Sequence, residues 1–496
     1  MKNLLALTFA FGLVLPCFGQ KAVVRIAVDS SLHQLPLSGR LYLSTQKDTT
    51  RPVNSNPDPF GYEPIFAKNV TQWQRGEAQV IDAGAEGLPH AFDQLKPGCY
   101  KVAAVLDQNT ETRQFAYGPG NLYSDEAILC IPETGTAAIV LTLTHRVQPR
   151  QFKENDSVKG VVFKSRLLSD FHKKTVSIEA AVILPASYRT QPEKRYPVVY
   201  VIPGWGGTHY DVLRGKFVRT RYGMGLTAVE KIYVYLNPET QTPYGLHAFV
   251  DSDLNGPWGK ALVEELIPWI DQQYRTEATP ATRFVMGQSS GGYGALWLQL
   301  FYPEAFGGCW AVSPDPVDFR HFTGVNLYEK GANLYVDAAG KERGILFMKG
   351  QALSTLRQMV AFEDFFVDGG QMLSFEAEFG KADRNGRPQP LFDRKTGALR
   401  PAVIKTWQRY DLAHQLPKIW KKSGNLLTGK VHVYAGAEDN FLLQHAVTGF
   451  GEQAKAINAA LVAEIIPGAD HFSVWSPAFT KRVQTEMDQL VQAARQ

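Results

Sequence analysis

From residue 21 to about 150, apolar and polar positions alternate in short runs: "VVRIAV", "GRLYLST", "CYKVAAVL" and "AAIVLTLTHRV" are separated by clusters of Gly, Pro, Asn and Asp. A period of two turns one face of each run toward a core and the other toward water, so these runs read as strands. Their number and spacing predict a β-sandwich of the immunoglobulin-like kind over residues 20–150. "LKPGCY" places Pro97 and Gly98 at a tight turn leading into a strand. The polar stretch "QPRQFKENDS", residues 148–157, reads as a linker.

Beyond residue 158 the pattern changes. "VSIEAAVILP", "YPVVYVIPG", "KIYVYLN", "RFVMG" and "KVHVYAG" are near-continuous apolar runs separated by segments of helical period. Such runs imply strands covered on both faces, which predicts an α/β domain over residues 158–496 with a mainly parallel sheet. In "WGKALVEELIPWIDQQY", Leu262, Leu266 and Ile270 recur at spacing four, an amphipathic helix. Between "VSPDPVDF" and "GKVHVYAG" lies an insertion, about 317–427, too long for an unstructured loop. It contains helix-like segments and is expected to be a lid or cap over a site, the alternative being a peripheral insertion.

The first residues, "MKNLLALTFAFGLVLPCFGQ", place Lys2 before an apolar run ending in Cys17 and Gly19. This predicts a signal peptide over residues 1–19 and an exported mature chain. Pro16 before Cys17 is a poor fit to a lipoprotein signal, and no later run reaches membrane-span length. Three cysteines follow the leader. Cys99 and Cys130 fall in strand-like segments and could be bridged or be two buried thiols, while Cys309 in "FGGCWAVSP" reads as core. A net charge of +4 over 52 basic and 48 acidic side chains is nearly balanced, so no nucleic-acid partner or anionic membrane surface is expected.

The candidate chemistry sits in "RFVMGQSSGGYGALWLQ", where an apolar strand runs into Gly287, Gln288, Ser289, Ser290 and Gly291, then into a helix. In that context G-x-S-x-G places Ser289 at the apex of a sharp turn. Gly287 and Gly291 are required where Cβ atoms have no room, and Gly292 and Gly294 are expected to let the helix approach the sheet. A serine hydroxyl needs a base, and the base needs an acid to orient it. "VHVYAGAEDNFLLQ" supplies Glu438 and Asp439 after one strand, and "EIIPGADHFSVW" supplies His471 after another, in the order Ser, acid, His. Extended geometry turns only one of the two carboxylates into the site, and Asp439 is favoured. A tetrahedral intermediate also needs two backbone N–H donors, for which Ser290 and Trp205, in the glycine-rich "PGWGG" loop, are the candidates.

These segments carry a resemblance. "YPVVYVIPGWGG", "VEELIPWID", "GQSSGGYGALWL", "YPEAFGGCWAVSP", "GAEDNFL" and "GADHFSVW" resemble the esterase family that includes esterase D (S-formylglutathione hydrolase), feruloyl and acetyl-xylan esterases, enterochelin esterases and mycolyltransferases. The likeness covers residues 158–316 and 428–496 and implies an α/β-hydrolase fold with a serine triad. Position by position it implies Ser289 as nucleophile, Asp439 as the acid of a D-x-F pattern, His471 as base, and Trp205 with Ser290 as oxyanion donors. Two departures stand out: Pro203 where many relatives have histidine, and Ser290 where methionine is commoner. No metal or cofactor is implied, because the serine attacks the acyl carbon directly. Resemblance and export together point to acylated carbohydrate, such as feruloyl or acetyl esters, as substrate. Siderophore esters, acyl transfer by the same triad, and a catalytically inactive binding protein are the alternatives. Trp205, Tyr210, Trp258 and Trp475 lie near the motif segments and could stack on sugar or phenolic rings or be core residues.

Overall fold

The computed structural model describes residues 21–32, 36–53, 63–113, 115–239, 241–242, 244–366 and 369–496. The expected leader lies outside the described residues. The chain divides into two compact units. The first comprises residues up to Asn109 together with Pro119–Gln148; the second comprises Thr110–Gly118 and Pro149–Gln496. A short excursion, 110–118, therefore belongs with the second unit although the surrounding chain belongs to the first.

The first unit is built on strands: β1 (Lys21–Val28), β2 (Leu37–Gln46), β3 (Ile65–Trp73), β4 (Gln79–Ile81), β5 (Glu86–Leu88), β6 (Gly98–Asp107), β7 (Leu122–Ser124), β8 (Ala127–Ile131) and β9 (Thr136–Arg146). They pair in one series, β4-β1-β9-β7-β6-β2-β3-β5, with β8 attached to β6. Alternate residues such as Val24, Ile26, Leu41, Leu43, Val102, Ala104, Leu141 and Leu143 meet in a single core. Cys99 and Cys130 face each other across β6 and β8 and form a disulfide, which decides between the two readings of that pair.

In the second unit the long strands are β10 (Val158–Ser165), β11 (Val176–Ile183), β12 (Val198–Ile202), β13 (Ile232–Leu236), β16 (Arg283–Ser289), β17 (Gly308–Pro314), β20 (Val431–Gly436) and β21 (Val462–Ile466). Two small hairpins stand apart, β14–β15 (Asp251–Ser252 with Gly256–Pro257) and β18–β19 (Gly344–Met348 with Gln351–Thr355). The sheet order is β10-β11-β13-β12-β16-β17-β20-β21. Only the β10–β11 and β11–β13 pairings are antiparallel; from β13 to β21 every pairing is parallel.

The apolar runs are explained by burial on both faces. Val198, Tyr200 and Ile202 of β12 enter one core, whereas Val199 and Val201 enter the other. Val285 and its neighbours Phe284 and Met286 divide in the same way on β16. Each aliphatic side chain so buried is worth about 1.5–3 kcal/mol, which no solvent-facing strand would recover. The chain is helical from Trp258 to Gln273, with a π turn over Leu262–Leu266, and Leu262, Leu266 and Ile270 are all buried as their spacing requires.

The segment 317–427 is not a detachable flap. Phe319, Phe322, Leu391, Phe392, Trp407 and Tyr410 are buried in the same core as Val198 and Val285, so lifting the segment would expose that core. Cys309 is buried on β17, where the apolar surroundings push its thiol up to about 12.

Candidate active site

The site is built where five parallel strands end: β12, β16, β17, β20 and β21. β16 closes at Ser289, whose backbone adopts φ 58°, ψ −128°, and the helix Ser290–Phe301 begins at the next residue. A positive φ at a non-glycine residue is strained and persists only where the surroundings enforce it. The neighbouring glycines supply that enforcement. A Cβ on Gly287 would lie 2.2 Å from the Gly291 carbonyl oxygen, and one on Gly291 would lie 1.9 Å from that of Ile202. Gly292 approaches the sheet as expected, its Cβ position 3.0 Å from Val312 O. Gly294 does not, because its Cβ position lies 1.9 Å from the carbonyl of Ala248, in the loop before β14.

After β12 the chain turns through Gly204–Gly207, the Gly207 N–H donating to the Gly204 carbonyl at 3.0 Å. Gly206 takes the position that needs a positive φ, at 86°. This turn bond leaves the Trp205 N–H outside it. The loop is close to the nucleophile, since a Cβ on Gly204 would sit 3.1 Å from Ser289 Cβ. The other candidate donor, the Ser290 N–H, is the first amide of its helix and has no carbonyl one turn back to bind. The Trp205 ring lies under the Arg113 guanidinium at 4.2 Å, and Arg113 is held by Glu239 at 3.0 Å.

Asp439 follows β20 and is 1% exposed, whereas Glu438 is exposed. One Asp439 oxygen accepts the Phe441 N–H at 3.0 Å, and the other lies 2.9 Å from Nδ1 of His471. His471, after β21, is 5% exposed and gripped through its backbone. Its N–H donates to Asn440 Oδ1 at 3.0 Å, and its carbonyl accepts from the Gln288 side-chain amide. Gln288 in turn accepts from Arg221. The residue before the serine thus ties the histidine loop to the nucleophile strand.

The Ser289 hydroxyl, among the described residues, donates to Asp315 Oδ1 at 3.3 Å rather than to His471. Asp315 stands just after β17 and is 5% exposed. Burial raises its carboxyl to about 6, opposed by hydrogen bonds from Ser290 and Ser289 and by the His471 imidazole. Gln371, from the inserted segment, donates to Asp315 Oδ2 at 3.3 Å and to Ser290 Oγ at 3.4 Å.

A strained serine between a strand and a helix, a histidine paired with a buried aspartate and a glycine loop against the serine define the geometry. The model of the family described as "Putative esterase" matches residues 175–485, more than half of the chain. The chain belongs to that family. Esterase MT1326 of Mycobacterium tuberculosis (strain CDC 1551 / Oshkosh) is 36% identical over 117 residues, 23% of this chain and 24% of that protein, so the match spans about a quarter of the curated relative. Among solved structures, a ferulic acid esterase is similar over 67% of this chain and 97% of that one, at 17% identity and a TM-score of 0.41. An S-formylglutathione hydrolase from Agrobacterium tumefaciens is similar over 67% and 95%, at 17% identity and a TM-score of 0.39.

The aromatic candidates in this esterase-family chain are placed differently from the triad candidates. Trp258 is a correction: it is 2% exposed, stacked on His247 at 3.5 Å, with its indole N–H donated to Asn255 O. Both its face and its polar edge are already taken by protein. Tyr210 is covered by Arg150 at 3.9 Å and donates its hydroxyl to Arg150 O. Trp475 packs against Tyr222 and Phe479 in the second core. Among these aromatics it is Trp205 that follows directly on Gly204, the glycine packed against the nucleophile. The sequence reading passed over Asp315, Gln371 and Gln288. A carboxylate at the C-terminal end of the strand beside β16 was a usable signal for Asp315, but nothing local marks Gln371.

Proposed function

We propose that this chain is an exported serine esterase that works through Ser289, His471 and Asp439. The observation that carries the reading is the buried Asp439–His471 pair, tied through Gln288 to the strand that ends in the strained Ser289. In the proposed reaction Ser289 Oγ bonds to the acyl carbon while its proton passes to His471 Nε2, and the alkoxide leaves with that proton. Water then attacks the acyl-enzyme by the reverse use of His471. The Trp205 and Ser290 N–H groups receive the negative charge on the carbonyl oxygen. Asp439 holds the imidazole with Nδ1 as its donor, which leaves Nε2 to take the proton. Acylated carbohydrate, as feruloyl or acetyl ester, is the substrate class the resemblance and the proposed leader favour.

Labelling by a fluorophosphonate probe, followed by peptide mapping, should place the adduct on Ser289. Ser289→Ala should lose about 10⁴-fold or more in kcat on any ester the protein turns over. Asp439→Asn should cost several orders of magnitude, of the order of 10⁴, whereas the exposed Glu438→Gln should stay near wild type. A panel of acetyl, feruloyl and siderophore esters with product identification assigns the substrate. Absence of labelling together with absence of turnover would favour the inactive binding protein.

A further inference from the structure

The carboxylate that touches the nucleophile is not the triad acid, and the backbone is bent to bring it there. β16 and β17 pair residue for residue up to Gln288 with Val312, but Ser289 then faces Pro314. Ser313 is the extra residue of a bulge, with φ 39° and a buried hydroxyl that has no partner among the described residues. Such a bulge reverses which face the following side chains take, and it is a device for re-aiming a side chain. Here it brings Asp315 onto Ser289 at two points. The Asp315 N–H donates to the Ser289 carbonyl at 3.1 Å, and the Ser289 hydroxyl donates to Asp315 Oδ1. Two adjacent strands therefore each carry a strained serine at the same level, and the product of both distortions is this contact.

We propose that Asp315 is a second carboxylate of the active site, which grips Ser289 and supplies negative charge facing the proton that passes from Ser289 to His471. This rests on the serine-esterase reading above. Asp315 takes no proton in the step: the proton leaves Oγ for His471 Nε2, and the ionised Asp315 stabilises the imidazolium that results. The groups that act on Asp315 come from every element around it. Ser289 and Ser290 bond it from the elbow and Gln371 from the inserted segment. His471 lowers and Asp439 raises its proton affinity through space. Burial raises both Glu378 and Tyr293, and the charge of Asp315 adds to each. The Gln371 contact gives the insertion a chemical role, because its amide stabilises the ionised form of Asp315.

The test is the pH profile of kcat/KM on p-nitrophenyl acetate. In the wild type, protonation of Asp315 removes the charge that faces the transferred proton, so the acid limb should carry an ionisation that belongs to Asp315. Asp315→Asn keeps the shape and removes the charge. It should lower kcat/KM at pH 8 roughly tenfold, and its acid limb should lack the ionisation that belongs to Asp315. Gln371→Met keeps the carboxylate but removes a donor to it, and should move the Asp315 ionisation of the limb to higher pH. This variant tests the idea even where the asparagine variant does not fold. Asp315→Asn within twofold of wild type with an unchanged limb would overturn the proposal, as would an unmoved limb in Gln371→Met. Failure of the esterase reading looks different, since the wild type would then neither turn over esters nor take a fluorophosphonate.

Discussion

Gly291→Ala probes how tightly the nucleophile elbow and the oxyanion loop are locked together. A Cβ at Gly291 would stand 1.9 Å from Ile202 O, 2.5 Å from its carbonyl carbon and 2.6 Å from Pro203 O. Ordinary contact begins at 3.4 Å, so the backbone at the end of β12 must retreat by up to about 1.5 Å, and no side chain can move out of the way. That backbone leads directly into Gly204, which lies against Ser289, and into Trp205, which carries the candidate oxyanion amide. A displacement of about 1 Å in a reacting group costs on the order of 10²-fold. We therefore expect kcat/KM to fall by about 10²-fold or more, with a loss of roughly 1–3 kcal/mol in stability from the forced overlap. Gly292→Ala is the matched control, because its Cβ would stand 3.0 Å from Val312 O and a shift of a few tenths of an ångström accommodates it. Ester turnover and thermal melting of the two variants check the ranking. Equal kcat/KM in the two, or a worse result for Gly292→Ala, would show that the elbow and the loop are not held at the distance the structure gives.

Arg113→Ala removes the cation over Trp205 and leaves Glu239 half of a largely buried pair; kcat/KM should fall roughly tenfold and the melting temperature by several degrees, with Arg113→Lys recovering part of both. Glu378→Gln should flatten the pH dependence of unfolding: Glu378 is fully buried, and burial and Asp315 push its carboxyl well above the usual range. Its stabilisation is thus present below the unfolded-state value near pH 4 and is lost as pH rises, by about 1.4 kcal/mol per pH unit, so denaturant melts between pH 5 and 8 should show the wild type losing more than the variant, and equal slopes would refute this.

Much of the second unit is legible in the sequence because its information is local. Five consecutive buried residues in β12 or β13 can only be a strand covered on both faces, and the Leu262, Leu266, Ile270 stripe is its own evidence. The glycines around Ser289 announce the elbow because each removes a Cβ that would strike backbone. Asp439 and His471 stand out by chain order and position at strand ends, and the structure brings their side chains together. The aromatic candidates fared worse, since position near a motif says nothing about which way a ring points. Trp258 shows the reason: its indole N–H is taken by Asn255, three residues back, but its face is taken by His247, eleven residues back, a stacking that no local pattern announces. The pairing of residues 110–118 with the second unit is illegible for the same reason, as it depends on Arg113 meeting Trp205 and Glu239 far along the chain.

Asp315 is the instructive omission, because alternation itself argues against it. A strand read at period two through "CWAVSPD" sends Trp310 and Val312 into one core and Cys309 and Ala311 into the other. Continued without interruption, it aims Asp315 by the same rule. The bulge at Ser313 breaks that rule, and no residue type in "VSPDP" marks it in advance: serine is a poor choice for a φ of 39°, where glycine or asparagine would be expected. Strain of this kind costs about 1–3 kcal/mol at each position and survives only if the surroundings overdetermine it. Here they do, through the Asp315 N–H on Ser289, the Gln371 amide on Asp315 and the packed strands on either side. The strain at Ser289 is legible because glycines flank it, whereas that at Ser313 is not, because what holds it comes from Ser289 and Gln371, both distant in the chain.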